Sequence, residues 1–248
     1  MRSNVDIEKH VRGESQFIDD MIVPERTLYA KVFDSTIAHG KILNINTDET
    51  KRILYPGRQE SEFIDAFLDQ NHINRQSYLI GIAPSCKNRF KQWDAQKFAA
   101  VADELIEKWN AQIVLTGSPE DHPIIKQVIS HMKHKATDAC GLFSLGQLSA
   151  FCQRLNVLIA VDSGPIYIAN AVGTAVIDIA GPIDVREQPP QVNNCKIVQP
   201  DLPCIPCSYV IHTSSGCTHP SKICLEKTEP CHVVKAFESL VAEGIINK

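Results

Sequence analysis

The tetrad Asp162-Ser163-Gly164-Pro165 follows the apolar run Val157 to Val161 and precedes a helix expected from Ile166 to Val172. A buried strand that opens through glycine and proline into a helix leaves backbone N–H groups at the strand's carboxyl end. Together with the helix dipole, those donors suit a phosphate or another anion. Asp162 and Ser163 add a carboxylate and a hydroxyl at the same spot. The same residue types also serve simply to cap a helix, so this segment alone leaves both readings open. A second concentration of chemistry lies at Cys204-x-x-Cys207, Cys217 and Cys224, in a Pro- and Gly-containing loop spanning residues 204–224. A CxxC pair with two more thiols within about twenty residues can form a tetrahedral structural zinc site. Cys231 and His232 are alternative ligands, and free or transiently paired thiols are the other reading in a reducing compartment. Cys86, Cys140, Cys152 and Cys195 are scattered and read as small apolar residues. The nine histidines show no HExxH or comparable pairing, so nothing points to a catalytic metal.

These groups need a scaffold, and the stretch from Leu79 to Pro182 describes one. Leu79 to Ala83 reads as a strand, and Asp94 caps a helix with Phe98, Val101, Ala102, Leu105 and Trp109 on one face. Gln112 to Leu115 is a second strand, closed by Thr116-Gly117-Ser118-Pro119. Ile124, Ile125, Val128, Ile129 and Met132 keep helical spacing, and Ser144 caps a further helix carrying Leu145, Leu148, Cys152 and Leu155. Strand Val157 to Val161, the helix stopped by Gly173, and strand Ala175 to Ala180 complete the series. Strands alternating with helices predict βαβ units and an α/β fold, a Rossmann-like parallel sheet with flanking helices.

A chain of 248 residues, 44% hydrophobic, can bury a sizeable core, and its net charge of −4 gives no polyanion-binding signal, so nucleic acid is excluded as a partner. No apolar run reaches the roughly 18 residues that span a bilayer, and no signal-peptide pattern opens the chain, which predicts a cytoplasmic protein. Met1 to Lys41 is polar and weakly periodic, with Ile18, Ile22 and Val23 its main apolar points. Thr47 to Asp69 looks helical but is broken at Tyr55-Pro56-Gly57. The expected organisation is a partial N-terminal or linker region over 1–76, without a complete domain, and a Rossmann-like domain over 77–248. The latter carries the cysteine-rich loop and a final helix from Pro230 to Ala242.

Five short segments occur in order: Ile82-Ala83-Pro84-Ser85, Lys91-Gln92-Trp93, Leu115-Thr116-Gly117-Ser118, Asp162-Ser163-Gly164-Pro165 and Ala180-Gly181-Pro182. In that order and spacing, at strand ends, they resemble the C-terminal half of the heptosyltransferase-type glycosyltransferases of family 9, over roughly Leu43 to Val241. The resemblance implies a GT-B enzyme that needs no metal for catalysis. It would move a sugar from a nucleotide donor, typically ADP-heptose, to a lipopolysaccharide core or related lipid-linked glycan. It further implies work at the inner face of the cytoplasmic membrane. Asp162, Ser163, Gly164 and Pro165 match the family's donor-binding loop without change. Lys91 falls where an ammonium faces the donor diphosphate, or else belongs to a solvated basic run with Lys87 and Arg89. Ser85 either bonds the same phosphates or is a turn residue. Trp93 packs beneath the loop. Glu120 and Asp121 either accept ribose hydroxyls or act as first-turn helix acids. The family commonly places a histidine where this chain has Tyr167, which still donates a hydrogen bond but does not ionise near neutral pH.

The family's N-terminal domain opens with a strand and a glycine-aspartate loop and supplies a general base. Met1 to Lys41 shows no such pattern, and Asp19, Asp20 and Asp34 read as surface charge, so no catalytic base is identifiable. The expectation is a glycosyltransferase whose acceptor side comes from a separate N-terminal domain or subunit. The alternative is a non-catalytic nucleotide-sugar-binding module, or a truncated chain.

Overall fold

The structure, a computed structural model, describes residues 53–74, 76–186, 194–209, 217, 219 and 221–248. The readings of Met1 to Lys41, with Asp19, Asp20 and Asp34, and of the start of the 47–69 helix lie outside the described residues. Contacts divide the chain into two compact units, and the larger, Arg52–Pro182 with Pro190–Ile205 and Ser215–Lys248, holds the sheet. In the smaller unit, Ile183 bridges Ser208 in parallel, and the Arg186 guanidinium grips Asp184 through two contacts of 2.8 Å.

The larger unit runs α1 (Arg58–Gln70), β1 (Leu79–Ala83), α2 (Ala95–Trp109), β2 (Gln112–Leu115), α3 (His122–His131) and β3 (Thr137–Asp138). It continues with α4 (Leu145–Arg154), β4 (Val157–Val161), α5 (Gly164–Ala171), β5 (Ala175–Ile179), β6 (Cys195–Val198), α6 (Ile223–Lys227) and α7 (Pro230–Ala242). All strand pairings are parallel, in the order β3-β2-β1-β4-β5-β6. This is the Rossmann-like α/β arrangement that the sequence predicts. The order reverses between β1 and β4, which opens a crevice beyond their carboxyl ends.

Strands buried on both faces must be apolar throughout, and β1, β4 and β5 have no exposed residue. Alternate residues divide between two cores. Ile80, Ile82, Ile113, Leu115, Ile159 and Ile177 meet α2, α3 and α7 through Phe98, Leu105, Val128 and Phe237. Leu79, Val114, Leu158, Ala160 and Val176 meet α1, α4 and α5 through Phe67, Phe151 and Ile166. Helix α1 buries Ile64, Phe67 and Leu68 in this second core, so the body around the sheet takes in residues ahead of position 77. Gly81 is required by packing: a Cβ there would stand 2.5 Å from a methyl of Leu155.

Most elements fall where periodicity and caps place them, and α7 has the expected bounds. Three were not anticipated. β3 is two residues long, β6 is an edge strand with a half-exposed CKIV sequence, and α6 is a short helix inside the expected cysteine-rich loop. The final turn of β5 also ends at Ile179 rather than Ala180. Among the described residues no helix is long and apolar enough to cross a membrane.

Candidate functional site

Each strand next to the switch point ends in a loop that contributes to one cavity of about 560 Å³. Ala83 passes into Ser85, Cys86, Lys87, Asn88 and Lys91 after β1, and Leu115 into Thr116, Gly117, Ser118 and Asp121 after β2. Asp162, Ser163, Gly164 and Pro165 line it after β4. Phe143, Leu145, Leu148 and Ile168 form an apolar wall opposite these polar loops.

The loop after β1 is held from below. Trp93 is 1% exposed, stacks edge-on against Phe98 at 4.8 Å, and donates its indole N–H to the carbonyls of Leu225 and Thr228 at 3.1 and 3.0 Å. Lys222 Nζ donates to the carbonyls of Arg89 and Gln92. Asn88 Oδ1 accepts from the Phe90 amide and starts the short 3-10 turn Arg89–Lys91. Lys91 is thereby aimed across the switch point, where Nζ meets Asp162 Oδ2 at 2.6 Å, with 19% and 9% of the two side chains exposed. The second carboxylate oxygen, Oδ1, accepts from the Tyr167 hydroxyl at 2.8 Å. Lys91 is therefore a charge shared with Asp162 rather than a lone ammonium, and two of its three protons remain for a ligand.

Ser163 does not cap α5. Its hydroxyl donates to the Val161 carbonyl at 2.9 Å, and the helix start carries no side-chain cap. Pro165 has no N–H, and the Ile166 amide returns to the Ser163 carbonyl at 3.1 Å. The donors at this end are thus the Ser163 and Gly164 amides. A Cβ added at Gly164 would find no atom within 4 Å, so the open space beside that residue belongs to the cavity.

Not every expected residue enters. Glu120 is exposed and does not line the cavity. Its carboxylate is held below the ordinary range by its own backbone N–H and then by Ser118. Its neighbour Asp121 turns inward instead, accepting from the Ser118 amide at 2.7 Å, from the Ser118 hydroxyl at 2.8 Å and from the Ser85 hydroxyl. Ser85 is in the cavity as a partner of Asp121. Tyr167 is half-buried and donates its hydroxyl to Asp162, which lines the cavity. Burial pushes the Cys86 thiol up to about 11, with Lys91 pulling the other way, so it stays protonated at neutral pH. Behind the ion pair, on β5, Asp178 is 4% exposed and its Oδ1 has no hydrogen-bond partner among the described residues. Burial first, and then the Asp162 charge, raise its carboxyl well above the usual carboxylate range.

Nothing among the described residues supports the four-thiol zinc expectation. Among the described residues no three histidine, cysteine or carboxylate side chains gather as metal ligands. Cys224 is instead 5% exposed in the main core on α6, because that segment folds as a helix rather than as a loop. The apolar wall was missed by sequence reasoning: Leu145 has the spacing of a core residue, yet it is 76% exposed at the first turn of α4, on the cavity rim.

A parallel sheet in this order, with an uncapped helix start and a lysine-carboxylate pair at its switch point, defines a Rossmann-like α/β protein with a polar crevice at the carboxyl ends of its strands. Residues 10–216 match glycosyltransferase family 9 (heptosyltransferase), and the chain belongs to that family. The lipopolysaccharide core heptosyltransferase OpsX of Haemophilus influenzae is 26% identical over 150 residues, which cover 60% of this chain and 42% of that protein. A glycosyl transferase family 9 structure from Veillonella parvula superposes with a TM-score of 0.70 at 21% identity, over 89% of this chain and 61% of that one. The ADP-heptose lps heptosyltransferase II of E. coli does so with a TM-score of 0.65 at 18% identity, over 82% of this chain and 57% of that one. The chain thus spans less than two-thirds of the length of these relatives.

Proposed function

We propose that the chain is the donor-binding part of a glycosyltransferase that moves heptose from a nucleotide-diphosphate sugar, ADP-heptose foremost, to a lipopolysaccharide core or related lipid-linked glycan. The observation that carries this reading is the Lys91–Asp162 pair beside the open start of α5, at the switch point of a family 9 chain. Ser163 and Gly164 offer amides and Lys87 and Lys91 offer ammonium groups to the diphosphate. A carboxylate repels phosphate, so Asp162 is suited to the sugar's hydroxyls, which donate to it. Phe143, Leu145 and Leu148 suit the flat face of the base.

As the glycosidic bond breaks, negative charge grows on the departing nucleotide diphosphate. Fixed amides and ammonium groups lower that barrier without a metal, because they are oriented before the charge appears. Deprotonating the acceptor hydroxyl requires a positioned base. We assign that base and the acceptor contacts to a separate domain or subunit, with residues 77–248 and helix α1 as the donor side. The relatives' acceptor suggests a cytoplasmic site of work, at the inner face of the membrane.

Thermal unfolding with ADP-heptose, ADP, and UDP and GDP sugars tests the reading. A ligand at 100 times its Kd adds about 2.7 kcal/mol, and Asp162→Ala should remove the gain from the nucleotide sugar. If no nucleotide or nucleotide sugar shifts the transition, the reading fails.

A further inference from the structure

Asp162 has both carboxylate oxygens engaged, from opposite directions and by different chemistry. Lys91, delivered from the loop after β1, takes Oδ2 at 2.6 Å, and Tyr167, one turn into α5, takes Oδ1 at 2.8 Å. Tyr167 is not among the residues that line the cavity, whereas Asp162 is. The hydroxyl thus bears on a ligand through the carboxylate it holds.

The geometry makes this more than a packing contact. Without that hydroxyl, Oδ1 loses its donor, and the Lys91 ammonium, a point charge, attracts both carboxylate oxygens. A rotation toward it would leave as many lone pairs as before but re-aim them, away from where the present orientation offers them to a ligand's hydroxyls. The Tyr167 hydroxyl holds Oδ1 away from Lys91.

We propose that Tyr167 is a positioning residue that fixes the Asp162 carboxylate in the orientation that accepts hydroxyl groups, and so makes the cavity select a sugar-bearing nucleotide over the bare nucleotide. This inference rests on the donor-binding reading above for its ligand, though not for the orientation of the carboxylate.

Tyr167→Phe removes only the hydroxyl. Calorimetric titration of the parent chain and of this variant with ADP-heptose and with ADP reads the selectivity directly. The expected result is affinity for ADP-heptose down about tenfold, of the order of one hydrogen bond to a charged group, with ADP affinity unchanged. A crystal structure of the ligand-free variant should show the Asp162 carboxylate turned toward Lys91. Unchanged selectivity, equal weakening for both ligands, or a carboxylate left in its parental orientation would each overturn the proposal. If the parent chain binds neither ligand, the donor-binding reading falls, and the orientation of Asp162 in the variant alone decides the role of Tyr167.

Discussion

Two helices of this protein begin with a serine, and the two serines do opposite things. At α4, Ser144 Oγ accepts from the Gln147 amide at 3.2 Å, while Gln147 Oε1 accepts from the Ser144 amide at 2.9 Å. That reciprocal box seals the helix start. At α5, Ser163 turns its hydroxyl back to Val161 and leaves the start without a side-chain cap. The sealed start spends its polar groups on stability. The open one keeps amides available beside Lys91 and Asp162, at the point where the strand order reverses.

The contrast can be broken most severely at Gly164. Valine there meets no protein atom at its Cβ, so the unfolding temperature without ligand should stay close to the parent's. The roughly 2.7 kcal/mol that a nucleotide sugar adds at 100 times Kd should vanish. Retention of that gain in a thermal-shift titration would mean that ligands do not approach the open start.

Asp178→Asn asks how far the open end rests on the buried carboxyl behind it. Asp178 titrates in the fold above its ordinary 3.8, so its contribution favours the folded state below that pH and is lost as pH rises through the folded value. Asparagine does not titrate. The variant's stability relative to the parent should therefore climb as pH increases from 3.8 upward, read from urea midpoints at a series of pH values. A gap that stays flat with pH would show that Asp178 is ionised in the fold.

Ser144→Ala should cost about 1 kcal/mol of stability, the usual value of a lost N-cap, with the ligand-induced gain intact. Ser163→Ala should cost less, within about 0.5 kcal/mol, because no helix amide depends on that hydroxyl. If the two alanine variants lost equal stability in denaturant titrations, the distinction between sealed and open starts would not stand.

The same distinction marks what could be read from residues alone. β1, β2, β4 and the helices capped by Asp94 and Ser144 were legible because uninterrupted apolar runs and caps are local signals. β6 was not, since a half-exposed edge strand has neither a continuous apolar run nor strict alternation. The Lys91–Asp162 contact joins residues 71 positions apart, and only the strand order β1-β4 brings their loops together. Glu120 and Asp121 are adjacent acids with equal claims in sequence. The phase of the 3-10 turn Pro119–Asp121 aims one at solvent and the other at Ser85. Cys224 looked like a metal ligand by spacing, but helix α6 buries it in the core.

The Trp93 indole fastens the Lys91 loop to the carbonyls of Leu225 and Thr228, 132 and 135 positions further along the chain. During synthesis from the N-terminus, the early strands emerge long before that anchor exists. The loop that carries the lysine therefore waits unfastened until residue 228 is made, so the crevice ripens late, as the last part of the site to be fixed.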